Sequence, residues 1–238
     1  MNYESLLDEI MINTLSAKEL IGTPQKEFHY AVCPWNLEFH TTILLSSILL
    51  SLDQYQPLIL LIQVDELAES AMRYTGEIWP HFGRKRNFRN QHSSFFEKEN
   101  LPQTSENPYP YLDKLFCYLS VINVHQDHLV VFVKRGENNQ KLTELLKPLL
   151  KKGYSLLVIS NCYEQLPSEH AKEQSSRLIQ HLKNKNLNEE EQSKFPAFHI
   201  LSHLLAEEKN SEGIEQILNT ADLGFDSKYS NSLWRMLR

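Results

Sequence analysis

Any chemistry in this 238-residue chain would have to come from a few dispersed polar groups. Cys162, with His170 eight residues later, offers a thiol and a base. A cysteine nucleophile needs such an imidazole to take its proton, but two residue types are not a geometry, and a buried, inert cysteine is more common. His199 and His203 stand at i and i+4, the spacing of a metal-binding pair on one helix face. No glutamate motif flanks them, and Phe198, Ile200, Leu201, Leu204 and Leu205 favour a core or boundary pair. His125 and His128 fall in a predicted turn and read as solvated. Arg84, Lys85, Arg86 and Arg89, interleaved with Phe82 and Phe88, form the one basic patch. Aromatics among cations suit stacking on single-stranded nucleic acid. No RNA-binding module surrounds the patch, so a solvated loop or pairing with nearby acids is favoured.

These groups need a scaffold, and the apolar runs supply one. Residues 155–160 follow Gly153 as a short apolar run, the pattern of a buried central strand. Ser168 is a candidate N-cap ahead of a stripe formed by Ala171, Leu178, Ile179 and Leu182. The intervening loop, 161–167, lies at the carboxyl end of that strand, where open α/β sheets place their ligands. It carries Asn161, Cys162, Glu164 and Gln165, and neither histidine nor aspartate.

Earlier in the chain, residues 5–14 present Leu6, Leu7, Ile10 and Met11 as a short amphipathic helix, followed by a polar link over 16–26. Residues 27–33 read as a strand and 38–53 as a buried helix, with a strand left possible. LILLIQV at 58–64 completes a βαβ unit. Residues 66–108 hold three prolines and two glycines; loops, short strands and some disorder near 91–105 are expected, with limited proteolysis favoured at 83–105. Leu112, Leu115, Phe116, Leu119 and Ile122 follow helical spacing, and 128–134 is another internal strand. Leu142 to Leu150 form a helix stripe that Pro148 should kink and Gly153 should close. A helix over 196–208 and strands over 214–220 and 232–236 complete the pattern.

Hydrophobic content of 41% and charged content of 23% are those of a soluble globular protein. The net charge of −6 argues against nucleic-acid binding over the whole surface. Residues 43–52, broken by three serines, are too short and polar to span a bilayer. MNYESLLDEI carries acids where a secretory signal needs basic and apolar residues. Three widely spaced cysteines predict a reducing cytoplasm rather than a disulfide framework. The expectation is a single three-layer α/β/α domain over 1–238 with a mostly parallel or mixed sheet.

The order of several segments resembles the Memo family, whose fold is that of the class III ring-cleaving (extradiol) dioxygenases. Tyr30-Ala-Val-Cys-Pro34 resembles the strand ending in Pro-His-Ala-Gly-Tyr, and 58–64 resembles the strand before Gly-Pro-Ser-His. Ser105-Glu-Asn-Pro-Tyr-Pro-Tyr-Leu112 is similar to Ser-Leu-Glu-Val-Gln-Leu-Pro-Phe-Leu. Val158-Ile-Ser160 matches the start of Val-Ser-Ser-Asp-Phe-Ser-His. FPAFHILSHLL and IEQILNTAD look like the closing helix and its following strand, so the resemblance covers residues 29–222.

The resemblance implies a metal site that this chain does not keep. Aligned ligand positions fall at Trp35, near Asp65, near Gln103, and at Cys162 and Gln165, and a cysteine opening the last helix is replaced by Phe195. An extradiol iron site uses two imidazoles and a carboxylate. Neither imidazole is present at the aligned positions. The expectation is a Memo-like pseudoenzyme with no metal and no cofactor, in which Trp35, Asp65, Glu106, Asn161, Cys162 and Gln165 line a cleft for a protein or small-molecule partner. The alternative is an enzyme with a remodelled site, either oxygenase-like or a Cys162 hydrolase.

Overall fold

Continuous runs of branched apolar residues can bury both faces of a strand, and three such runs lie at the centre of the molecule. The computed structural model describes residues 3–21, 28–37, 39–51, 57–78, 86–87, 101–122, 128–136, 140–160, 168–184, 196–206, 214–219 and 232–237. Its strands are β1 (Phe28–Cys33), β2 (Leu58–Val64), β3 (Ala71–Tyr74), β4 (Glu77–Ile78), β5 (Arg86–Asn87), β6 (Gln103–Thr104), β7 (His128–Lys134), β8 (Ser155–Ile159), β9 (Ile214–Asn219) and β10 (Ser232–Leu237). Helices are α1 (Tyr3–Ile21), α2 (Phe39–Leu50), α3 (Leu112–Ile122), α4 (Gln140–Lys151), α5 (Ser168–Asn184) and α6 (Pro196–Ala206).

Eight strands form one mixed sheet in the order β6-β3-β7-β2-β8-β1-β10-β9, while β4 and β5 form a separate ribbon. The central four, β7-β2-β8-β1, are parallel throughout. The expected inner strands at 58–64, 129–133 and 155–160 are therefore inner strands. β3 runs antiparallel to β7, and β10 antiparallel to both β1 and β9.

Alternation along these strands divides the core into two layers. Ile59, Leu61, Val131, Val133, Leu156 and Val158 pack with α4, α5 and α6. Leu58, Leu60, Ile62, Val130, Phe132 and Leu157 pack with α1, α2 and α3. This is an α/β fold with helices on both faces of a mixed, mostly parallel sheet.

The structure corrects several expectations. α1 continues to Ile21, through much of the expected polar link. Its buried stripe is Leu6, Ile10, Asn13 and Ala17, whereas Met11 is 59% exposed. Asn13 is tolerated inside because its Nδ2 donates to Thr42 Oγ1 at 2.7 Å and Tyr118 Oη at 2.9 Å. Glu9 joins this network, accepting from Tyr118 at 2.9 Å and pairing with Lys114 at 2.7 Å. Buried polar side chains are stable when hydrogen-bonded in this way.

The irregular 66–108 region contributes a fully buried strand, β3, to the main sheet. The strand includes Arg73, whose side chain is 1% exposed, and this hides the segment from an apolar count. His128 is not in a solvated turn: it opens β7, is buried, and meets Phe116 edge-on at 5.4 Å. α4 runs past Pro148 to Lys151, with Pro148 on the exposed side of the helix. Gly153 closes it at φ 92°, and the Gly153 and Tyr154 N–H groups donate to Leu150 O and Leu149 O. Most of the 83–105 stretch expected to be protease-sensitive lies outside the described residues.

Candidate functional site

Parallel strands bring their carboxyl ends to one edge of the sheet, and in this chain the polar residues collect there. β2 leads away toward the β7 side of the sheet, while the chain after β8 ends in strands beyond β1. Adjacent strands whose connections diverge leave a crevice at their carboxyl ends, the usual ligand site of open α/β sheets. The β2–β8 boundary is such a point. Pairing of Ile62 with Ile159 places Gln63 beside Ser160. Ser160 Oγ donates to Gln63 Oε1 at 2.9 Å, and both side chains are buried. The Ser160 N–H donates to Cys33 O at 3.0 Å, fixing the end of β8 against that of β1.

Beside this hydrogen bond is a cavity of about 120 Å³ lined by Trp35, Gln63, Asp65 and Arg135. Each lining residue is at or just past the end of a parallel strand: Trp35 after β1, Gln63 and Asp65 on and after β2, Arg135 after β7. The Arg135 N–H donates to Val64 O at 2.9 Å, holding the turn after β7 level with Asp65. Arg135 Nε and Asp65 Oδ1 are 3.1 Å apart as an ion pair, with their side chains 35% and 73% exposed. A pair this exposed contributes little to stability. It does set opposite charges side by side at the cavity mouth.

Trp35, the aromatic residue of the described lining, is backed by two tyrosines. Trp35 meets Tyr109 edge-on at 5.4 Å and Tyr111 at 5.7 Å, and the two tyrosines meet each other at 5.8 Å. Tyr109 Oη donates to Trp35 O at 2.7 Å. Burial, then the neighbouring Cys33 and Tyr111, holds the Tyr109 hydroxyl well above the usual tyrosine range, so it stays a neutral donor. Burial likewise pushes the Cys33 thiol far up, which leaves it protonated and unreactive. Tyr109 is placed by the Asx-type turn of the Ser105–Leu112 segment, in which its N–H donates to Asn107 Oδ1 at 3.0 Å.

Of the residues expected from the sequence, Trp35 and Asp65 border this cavity together. Trp35 is partly buried and forms one wall of the cavity. Glu106 and Gln103 are exposed around β6 and are not part of the lining. Asn161, Cys162 and Gln165 lie outside the described residues, as do Arg84, Lys85, Arg89 and His125, while Arg86 is described only through its backbone on β5. His170 is exposed on α5.

His199 and His203 meet edge-on at 4.4 Å on α6. Burial, with His203 as the second cause, holds His199 below its ordinary value, so the His199 imidazole is neutral near pH 7. Among the described residues no three His, Cys, Asp or Glu side chains group so as to hold a metal ion. Two lining residues, Gln63 and Arg135, carried no signal beyond position. A polar residue ending, or just following, an apolar parallel strand is the cue that could have found both.

No known family model and no curated protein sequence matches this chain. Among solved structures it is similar to the crystal structure of uncharacterized protein JW3007 from Escherichia coli K12, with a TM-score of 0.51, covering 88% of this chain and 100% of that one. At 9% identity that likeness shows the fold alone.

The iron site implied by the Memo-like resemblance does not fit the described lining. An indole cannot ligate a metal, and a glutamine amide is a weak ligand for transition metals. Asp65 supplies the one carboxylate, and the Arg135 cation beside it opposes a second positive charge. No helix is long and apolar enough to cross a membrane, among the described residues.

Proposed function

We propose that the chain is a Memo-like protein without ring-cleaving activity, whose strand-end cavity holds a small polar ligand. The observation that carries this reading is the lining itself. By the resemblance, Trp35 and Asp65 fall at or near positions where that family keeps metal-binding imidazoles, and Arg135 sets a cation beside Asp65. Together with Gln63 these residues make a binding wall: an aromatic face, a fixed amide and a paired charge at the mouth. Concave sites of mixed apolar and polar lining at the switch point of an α/β sheet are the common form of small-molecule sites.

Oxygen uptake tests the catalytic half of the proposal. Purified protein loaded anaerobically with ferrous iron and mixed with air-saturated catechol is expected to consume no more oxygen than an iron blank. Sustained uptake that a chelator abolishes, and that Asp65→Asn reduces, would contradict it.

A further inference from the structure

We infer that the ligand of this cavity is a small zwitterion carrying a carboxylate and an ammonium on the same carbon, that is, a free α-amino acid. This rests on the reading of the cavity as a binding site rather than a metal centre. The mouth is built from one anion and one cation, Asp65 Oδ1 and Arg135 Nε, 3.1 Å apart. A singly charged ligand gains attraction from one of them and repulsion from the other at nearly the same distance. A zwitterion with adjacent opposite charges meets both favourably, its carboxylate on Arg135 and its ammonium on Asp65. Guanidinium–carboxylate and ammonium–carboxylate contacts are the stronger, charge-assisted kind.

Size points the same way. An engineered cavity of about 150 Å³ admits benzene. The cavity here, about 120 Å³, therefore suits the side chain of a small or medium amino acid. Inside the mouth that side chain would meet the Trp35 indole on one wall and the Gln63 amide on another. Ser160 Oγ, bonded to Gln63 Oε1 at 2.9 Å, fixes the amide in one orientation. Both Asp65 and Arg135 have considerable side-chain exposure, so replacing either should leave the fold intact.

The test is calorimetric titration of the full chain, at low salt and pH 7.5, with L-valine, L-serine and L-asparagine, and with propionate and ethylamine as single-charge fragments. At least one amino acid should bind about tenfold or more tightly than either fragment, the worth of one added charge-assisted contact. Asp65→Asn should weaken amino-acid binding about tenfold while strengthening propionate binding, because it removes the ammonium's partner and the carboxylate's repeller together. Arg135→Gln should weaken amino-acid and propionate binding alike. Fragments binding as tightly as the amino acids, an Asp65→Asn variant with unchanged amino-acid affinity, or no binding by any amino acid would each overturn the inference. Retention of one equivalent of chelatable metal would instead overturn the reading beneath it.

Discussion

Tyr109→Ala is expected to lower the stability of the fold by about 3–5 kcal/mol, the usual cost of emptying a buried aromatic site. The ring is fully buried at 0% exposure and touches both Trp35 and Tyr111. Tyr109→Phe keeps the ring and loses only the bond to Trp35 O, so about 1 kcal/mol should be lost. Urea unfolding of the two variants separates these contributions. The cavity should respond as well, since Trp35 rests on Tyr109 and would be free to turn once the ring is gone. A Tyr109→Ala protein that unfolds at the wild-type urea midpoint would mean that the aromatic wall is not formed.

Gly76→Ala should be costly for a different reason. A Cβ there would stand 2.5 Å from Ser105 O and 2.6 Å from the Tyr74 ring, closer than unbonded atoms approach. Neither neighbour can yield easily. Tyr74 Oη donates to Glu77 O at 2.9 Å, and its ring meets Phe132 edge-on at 5.6 Å. Ser105 follows β6, which is held to β3 through Arg73–Gln103 and Tyr74–Thr104 pairing. Overpacking of this kind costs about 1–3 kcal/mol, and the loss should appear as a lower melting temperature. An unchanged melting temperature would show that the edge of the sheet is looser than described.

The parts of the fold legible in the sequence were those dominated by one physical effect. Leu58–Val64, His128–Lys134 and Ser155–Ile159 are continuous apolar runs because both of their faces are covered, and a run of that kind has few other uses. β3 was not legible in the same way. It has four residues, one of them an arginine, and its burial depends on β7 and β6 rather than on its own composition. The last turns of α1 were hidden because Ala17 is the one buried side chain among residues 15–19, so the stretch reads as a polar link. His128 was misread because a residue at a strand's first position looks the same in sequence as one in the preceding turn.

The site follows the same division. The places of Trp35 and Asp65 could be read from strand ends, since Asp65 follows a predicted strand directly and Trp35 follows one across Pro34. Arg135 was passed over, because a charged residue before Gly136 reads as ordinary turn chemistry. Its importance comes from the parallel pairing of β2 with β7, which sets the residue after one strand against the residue after the other. Register of this kind is a long-range property, settled by packing rather than by local pattern.

The central claim is that the crevice at the strand ends is a ligand site and not a metal centre. Metal content tests it most directly: the purified chain is incubated separately with ferrous iron, zinc and copper, passed through gel filtration, and assayed for bound metal per chain. The account predicts far less than one equivalent of each, with no change in melting temperature on adding a chelator. One equivalent retained through filtration and released by the chelator, with a fall in melting temperature, would contradict it.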